Sequence, residues 1–197
     1  MRFDPTALSP RDAYRLQIAC IAPRPIAFVT TVSRGGAVNL APFSFFNGVS
    51  SDPPVLSIAV STKRDGSKKD TWRNAEETGE FTVNVVTPEL MDSVIVAARE
   101  LPHGESELTL SGEASIPGER VKPPRLARSP IAMECSVLKI VEVEGTGLIL
   151  GRVLLYHVAD GVLGADGRPD PAKVGFVSRL GGDLYSRLGD LFERKRT

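Results

Sequence analysis

Cysteine and histidine are scarce in this chain, two of each in 197 residues. Cys20, His103, Cys135 and His157 are too scattered to read as a zinc set, whose ligands come in closely spaced pairs, and no metal site is expected. Each cysteine lies in an apolar run, so both thiols read as buried and reduced. MRFDPTALSPRD lacks the charged-then-apolar pattern of an export signal, and the expected compartment is the cytoplasm. Apolar runs long enough for a spanning helix, roughly 20 residues, are missing too, so no membrane partner is expected. Excess charge of either sign is absent: 24 basic residues balance 24 acidic ones. No overall field therefore draws the protein to nucleic acid or to an anionic lipid surface. The nucleotide loops G-x-x-x-x-G-K-[ST] and G-x-G-x-x-G do not occur, nor does the G-x-S-x-G hydrolase elbow. With no catalytic side chain singled out, the chemistry is expected to belong to a bound cofactor.

What is present suits one domain spanning 1–197 with a sizeable core, since 42% of residues are hydrophobic and 24% charged. Ser9-Pro10 predicts the start of a short helix, with Ser9 as cap and Pro10 in the first turn. Ile26 to Val32 predicts a buried strand, turned at Arg34-Gly35-Gly36 into a partner over Ala37 to Ala41. PFSFFNGVSSDPP is too rich in Ser, Asn, Gly and Pro to predict a plain strand, whereas VLSIAVS after it suits a core strand. Thr71 to Thr78 predicts a short helix with Asp70 or Thr71 as cap and Gly79 as stop. Phe81 to Val86 predicts a strand, and Glu89 to Glu100 an amphipathic helix. Leu101 to Pro130 reads as a long surface excursion or lid. Three strands are expected over 131–140, 141–150 and 151–158, and the tail is expected to end in a short basic helix. Seven short strands without long crossover helices predict a mainly β, antiparallel barrel with a few short peripheral helices.

The stretch from Asn39 to Asn74 carries the candidate site. Ser44, Phe45, Asn47 and Ser50 offer ring faces with amide and hydroxyl groups for the edge of a flat heterocycle. Past the next strand, Ser61, Thr62, Lys63 and Arg64 are followed by Ser67, Lys68, Lys69, Asp70 and Thr71. Hydroxyls, a guanidinium and the free N–H groups of a helix start are the donors a phosphate takes. Asp70 would orient this loop without touching the phosphate. The plainer alternatives are a solvated loop of mixed charge and a structural bulge.

The order Pro23-Arg24-Pro25-Ile26-Ala27-Phe28, Asn39-Leu40-Ala41-Pro42-Phe43-Ser44, Ser51-Asp52-Pro53-Pro54, Lys69-Asp70-Thr71 and Phe81-Thr82-Val83-Asn84 resembles the flavin reductase-like, FMN-binding split-barrel proteins. Within them it is most similar to the flavoredoxin-type branch, and the likeness runs from about Ile21 to the tail. It implies a six-stranded Greek-key split barrel that forms a homodimer and holds FMN at the subunit interface. Ser44, Phe45, Asn47 and Ser50 would then surround the ring, and Arg24 would approach the ring or the interface. Ser61, Thr62, Arg64, Lys68, Asp70 and Thr71 would surround the phosphate, with Lys69 adjacent to Lys68. Phe176 to Tyr185 resembles the family's tail segment near the flavin. His157 reads either as a core or interface histidine or as a family position in G-x-V-x-x-x-H. The implied activity is an FMN-dependent oxidoreductase taking hydride from NAD(P)H and passing electrons to a second flavin, a small molecule or a protein. The alternatives are an electron carrier without its own nicotinamide site and a non-catalytic binding module.

Overall fold

The computed structural model describes residues 1–99, 101 and 105–195; His103 lies outside them. Helix α1 (Pro10–Cys20) starts as the sequence predicts, with Ser9 Oγ accepting the Asp12 N–H at 3.2 Å and Pro10 in the first turn. The chain then forms β1 (Arg24–Pro25), β2 (Ala27–Val32), β3 (Val38–Phe43), β4 (Phe46–Ser51) and β5 (Pro54–Ser61). Helix α2 (Asp70–Thr78), β6 (Glu80–Val85), α3 (Met91–Ala97) and α4 (Glu107–Ser111) follow. Two short strands, β7 (Ser115–Ile116) and β8 (Arg125–Leu126), precede the long hairpin of β9 (Ile131–Val143) and β10 (Thr146–Val158). Last come α5 (Pro171–Val174), β11 (Val177–Arg179) and β12 (Tyr185–Arg187).

Seven strands form one antiparallel sheet in the order β3-β2-β6-β9-β10-β5-β4. β2 is buried on both faces, which accounts for its unbroken apolar run. Ala27 and Val29 turn inward to a cluster with Ile58, Trp72, Phe81 and Ile149. Phe28 turns outward to Leu40, Leu90, Val94 and Leu126, where α3 covers the sheet. At about 25 cal/mol per Å² of apolar surface, these two layers are the main source of stability.

Four expectations differ from the structure. With the two-strand 131–158 hairpin the sheet still has seven strands, because Phe46–Ser51 is a strand after all. It is an edge, exposed over nearly its whole length and bulged between Gly48 and Ser50, so it can be polar and still pair with β5. The three strands expected over 131–158 are two, because the turn falls at Glu144-Gly145 and Gly151 lies mid-strand. There the Phe81 ring occupies the space of a side chain: a Cβ on Gly151 would come within 2.3 Å of Phe81 Cζ. The tail forms no helix over Leu188 to Lys195; β11 pairs with β1, and β12 with β11. Cys20 is exposed, and only Cys135 is buried, its thiol pushed up by burial.

The 101–130 excursion is strapped down over its second half by a carboxylate. Glu134, fully buried in β9, accepts the backbone N–H groups of Glu119 at 2.9 Å, Arg120 at 2.6 Å and Val121 at 3.1 Å. His157 Nε2 lies 2.6 Å from the same carboxylate. Further along, Thr82 Oγ donates to Pro123 O at 2.9 Å, and Asn84 Oδ1 accepts the Leu126 N–H at 2.8 Å. Arg128 and Ser93 close on buried Glu113. Burial is the largest influence on Glu134 and raises its pKa, but its donors together outweigh burial and hold the carboxyl below its usual range.

Gly151→Ala should lower the unfolding free energy by about 1–3 kcal/mol through overpacking, whereas Gly161→Ala, with nothing within 4 Å of its Cβ, should leave urea unfolding unchanged. Glu134→Gln should cost about 3 kcal/mol at pH 7. A depressed folded-state pKa stabilises above the unfolded value, roughly 4.3, and that stability is lost as pH falls through the folded value. Urea midpoints from pH 7 to pH 3 should therefore show the wild type and Glu134→Gln converging.

Candidate functional site

Between β5 and α2 the chain makes a tight turn. Lys63 N–H donates to Ser67 O at 2.7 Å, and Asp65 accepts from the Ser67 amide at 2.9 Å and hydroxyl at 2.6 Å. The cations of this turn diverge. Lys68 Nζ reaches back to Glu76 at 2.7 Å and lies over the Trp72 ring at 4.8 Å. Lys63 Nζ contacts Asp70 Oδ2 at 3.2 Å, and Arg73 contacts Asp70 Oδ1 at 3.0 Å. Arg64 stands exposed at the tip.

Helix α2 begins without a side-chain cap. Lys69 holds the cap position and Asp70 is the first helical residue, where the sequence predicted Asp70 or Thr71 as the cap. The orphan N–H groups of such a start carry partial positive charge. Thr71 beside them is buried, and its Oγ1 accepts from Asn39 Nδ2 at 2.9 Å. The same Asn39 nitrogen and Asn74 Nδ2 donate to Thr31 Oγ1 at 3.3 and 3.0 Å. Because an amide nitrogen only donates, Thr71 serves Asn39 as acceptor and keeps its own hydroxyl proton to give away.

This helix start opens on a cleft of about 110 Å³, with Lys63, Lys69, Asp70 and Thr71 at one end, β3 as floor and the end of α3 above. Pro42, Phe43 and Ala98 also line a second hollow of about 160 Å³, which adds Ile26, Ser44, Arg179 and Tyr185. The two hollows share that wall, and the groove they line together is cationic at the α2 end and largely apolar over Pro42 and Phe43. Ser44 is set by Arg24, whose Nε donates to its Oγ at 3.2 Å. Arg24 Nη1 donates to Ile18 O and Ile21 O, both at 2.6 Å, and the guanidinium lies 5.9 Å from the Phe45 ring.

Glu107 adds a buried carboxylate to the cleft, with Oε2 accepting the Leu40 N–H at 3.3 Å. Burial raises its pKa and nearby Asp70 adds to the rise, against the opposing hydrogen bonds.

The groove thus collects Ser44, Asp70 and Thr71, with Arg24 behind Ser44. Phe45, Asn47 and Ser50 lie on the exposed β4 side, and Asn47 Oδ1 accepts the Gly48 N–H at 2.8 Å. Ser61 is exposed at the end of β5, and Thr62 N–H bonds Gly145 O at 3.2 Å. His157 stands behind the wall on Glu134, away from the groove. Asn39, Glu107 and Arg179 were not singled out as candidates from the sequence. Asn39 stood inside the flagged stretch, 32 positions from the Thr71 it serves. Arg179 lies within Phe176 to Tyr185, the tail segment flagged by resemblance though not by residue, and Glu107 comes from the irregular 101–130 excursion.

Residues 20–172 match the flavin reductase like domain. An uncharacterized protein of Halalkalibacterium halodurans is 43% identical over 202 residues, covering 100% of this chain and 96% of its own length. The solved structure of nitrilotriacetate monooxygenase component B from Bacillus cereus aligns with a TM-score of 0.93 at 36% identity, over 98% of each chain. That of 2-nitrobenzoate 2-nitroreductase from Pseudomonas fluorescens aligns at 0.90 and 27%, over 100% of this chain and 96% of that one. This chain belongs to the flavin reductase like domain family, and its antiparallel sheet is that family's split barrel.

Proposed function

We propose that the protein is an FMN-dependent oxidoreductase whose groove holds the cofactor, with the phosphate at the start of α2 and the ring over Pro42, Phe43 and Ser44. The observation that carries this reading is the uncapped helix start, flanked by Lys63 and Lys69 and by a hydroxyl with a proton to donate. A phosphate dianion accepts hydrogen bonds from donors of this kind. The apolar groove beyond it suits a flat ring, and Arg24 holds Ser44 ready to bond the ring's edge. Ser61, Thr62 and Arg64 are assigned to the outer side of the phosphate, and Lys69 rather than Lys68 faces it, because Lys68 is already engaged with Glu76. A bound flavin accepts hydride from a reduced nicotinamide and passes electrons onward. No acid or base of the chain is assigned to that step, and the residues bind, orient and leave one ring face open. The names of the Bacillus and Pseudomonas structures, a monooxygenase component and a nitroreductase, support redox chemistry.

A second copy of the chain is the proposed partner. β4 is an exposed edge strand bearing Val49, with exposed Phe45 just before it, and an open edge of this kind favours pairing. In a dimer, Phe45, Asn47 and Ser50 would reach the ring from the other subunit.

The decisive experiment is an anaerobic absorbance titration of the FMN-loaded protein with NADH and then NADPH. Bleaching of the flavin band by either is the expected result and names the donor. A band that persists would make the protein a carrier reduced by another protein, and failure to bind FMN would end the reading. Thr71→Ala and Lys69→Ala should each weaken FMN by about 1–3 kcal/mol and leave riboflavin, which lacks the phosphate, unaffected.

Glu107 is expected to oppose the phosphate. Glu107→Gln should tighten FMN at pH 8 by about fivefold, the effect of one like charge in a partly screened cleft, with riboflavin again as control. The variant should also be more stable at that pH. A raised folded-state pKa contributes stability below the unfolded value and loses it as pH rises through the folded one, and glutamine removes that loss.

A further inference from the structure

Arg24 in β1 and Arg179 in β11 are register partners across an antiparallel pair. Like charges placed opposite each other in a sheet repel, so such a pair calls for something negative nearby. Among the described residues no carboxylate contacts the pair. Arg24 spends its hydrogen bonds on Ser44 Oγ and on the carbonyls of Ile18 and Ile21 near the C-terminus of α1. Arg179 gives Nη2 to Gly182 O at 2.5 Å and stacks over the Tyr185 ring at 4.3 Å. All of these partners are neutral. Among the described residues no Asp or Glu lies within 4.0 Å of either guanidinium.

Burial makes the lack more telling. Arg24 is only 4% exposed, so solvent does little to screen its charge. The C-terminal carbonyls of α1 offset part of it, and burial together with neighbouring Arg179 lowers its pKa against a smaller opposing effect of Tyr14. Arg179 is half-buried and lines the 160 Å³ hollow with Ser44, Phe43, Ile26 and Tyr185. That hollow has an apolar floor, an aromatic edge and a guanidinium held flat by stacking, whose Nε and Nη1, unbonded among the described residues, can bind an oxyanion beside the Nη2 bond to Gly182 O. Lys63 and Lys69 lie at the far end of the groove and belong to the other hollow.

We infer that Arg179, with Arg24 behind it, forms a subsite for the oxyanion of a second substrate, a carboxylate or phosphate brought against the Ser44 end of the groove. The inference rests on the FMN reading only for the word second, since the hollow and its cations are described without it. It assigns the substrate class as anionic, with an apolar or aromatic body along Ile26 and Tyr185, beside the place given to the ring over Pro42, Phe43 and Ser44. Tyr185 fixes the plane of Arg179, and Arg24 supplies field from beneath without direct contact.

Calorimetry on the FMN-saturated protein tests this, with benzoate and benzamide as acid and neutral isostere, and ADP-ribose as a phosphate-bearing fragment of the nicotinamide donor. Benzoate or ADP-ribose should depend on Arg179. Arg179→Gln should weaken that ligand by about tenfold, the effect of one charge-assisted hydrogen bond, and Arg179→Lys should restore part of it. Benzamide and FMN should bind both variants as they bind the wild type. Dependence of benzoate places an acceptor's carboxylate in the subsite, and dependence of ADP-ribose places the donor's phosphate there; either supports the inference. Equal binding of benzoate and benzamide, together with an ADP-ribose affinity that ignores Arg179, overturns it while the flavin reading stands. Loss of FMN itself in Arg179→Gln would also overturn it, because the pair would then face the cofactor. If the wild type binds no FMN, the flavin reading falls, and the same benzoate and ADP-ribose titrations on the unloaded protein still decide the subsite.

Discussion

Trp72 is inserted into the barrel against Gly147, and the position of the whole groove follows from that contact. A Cβ on Gly147 would come within 2.6 Å of the indole ring, so the glycine is the space the ring occupies. With the ring 1% exposed and packed on Ile58, Phe81 and Ile149, α2 can neither roll nor slide. Thr71, one residue earlier, is thereby pressed to Asn39, and the helix start is aimed at β3. The indole N–H has no hydrogen-bond partner among the described residues, a cost of about 1–3 kcal/mol that the burial of so large a ring outweighs. A polar atom is left unsatisfied so that a helix terminus is held still.

Legibility in the sequence tracked how local the cause was. Ser9-Pro10, the Arg34-Gly35-Gly36 turn and the Gly79 stop act over a few residues, and the structure places them as read. β2 was recognisable because burial on both faces removes the alternation that a half-buried strand shows. Phe46–Ser51 was not, since an edge strand buries little and its composition is free to resemble a loop. Gly151 misled for the opposite reason: it looks like punctuation in sequence, and only Phe81, 70 positions away by numbering, explains it as packing. The strap over 119–126 was invisible because backbone N–H groups do the binding. Its side-chain signatures are Glu134 in the apolar first half of β9 and the buried Thr82 and Asn84 of β6.

The site divides the same way. The phosphate-type donors were legible as residue types, but their directions were not: of the adjacent Lys68 and Lys69, one is held by Glu76 and the other lines the cleft. What separates them is Glu76, two turns along α2, which draws Lys68 outward. Glu107 and Arg179 enter the groove from segments whose sequence has no period. They are positioned by α4 resting on β3 and by β11 pairing with β1.

The two ends of the groove differ in electrostatic kind, and that difference bears on how an elongated anion would lie in it. At the α2 end the cations Lys63 and Lys69 are accompanied by Asp70 and Glu107. Their field is short-ranged, and affinity there depends on hydrogen bonds aimed by the helix. At the Ser44 end the arginines have no acid within 4.0 Å among the described residues, so their field reaches farther. In the proposed reading, a tethered phosphate is held by geometry at one end, while a diffusing substrate is drawn by charge to the other. Site-specific hydrogen bonding suits a group that stays through turnover, and a longer-ranged, weakly directional attraction suits one that must arrive and leave. A cofactor groove and a substrate subsite can thus adjoin at Ser44 without competing for the same anion.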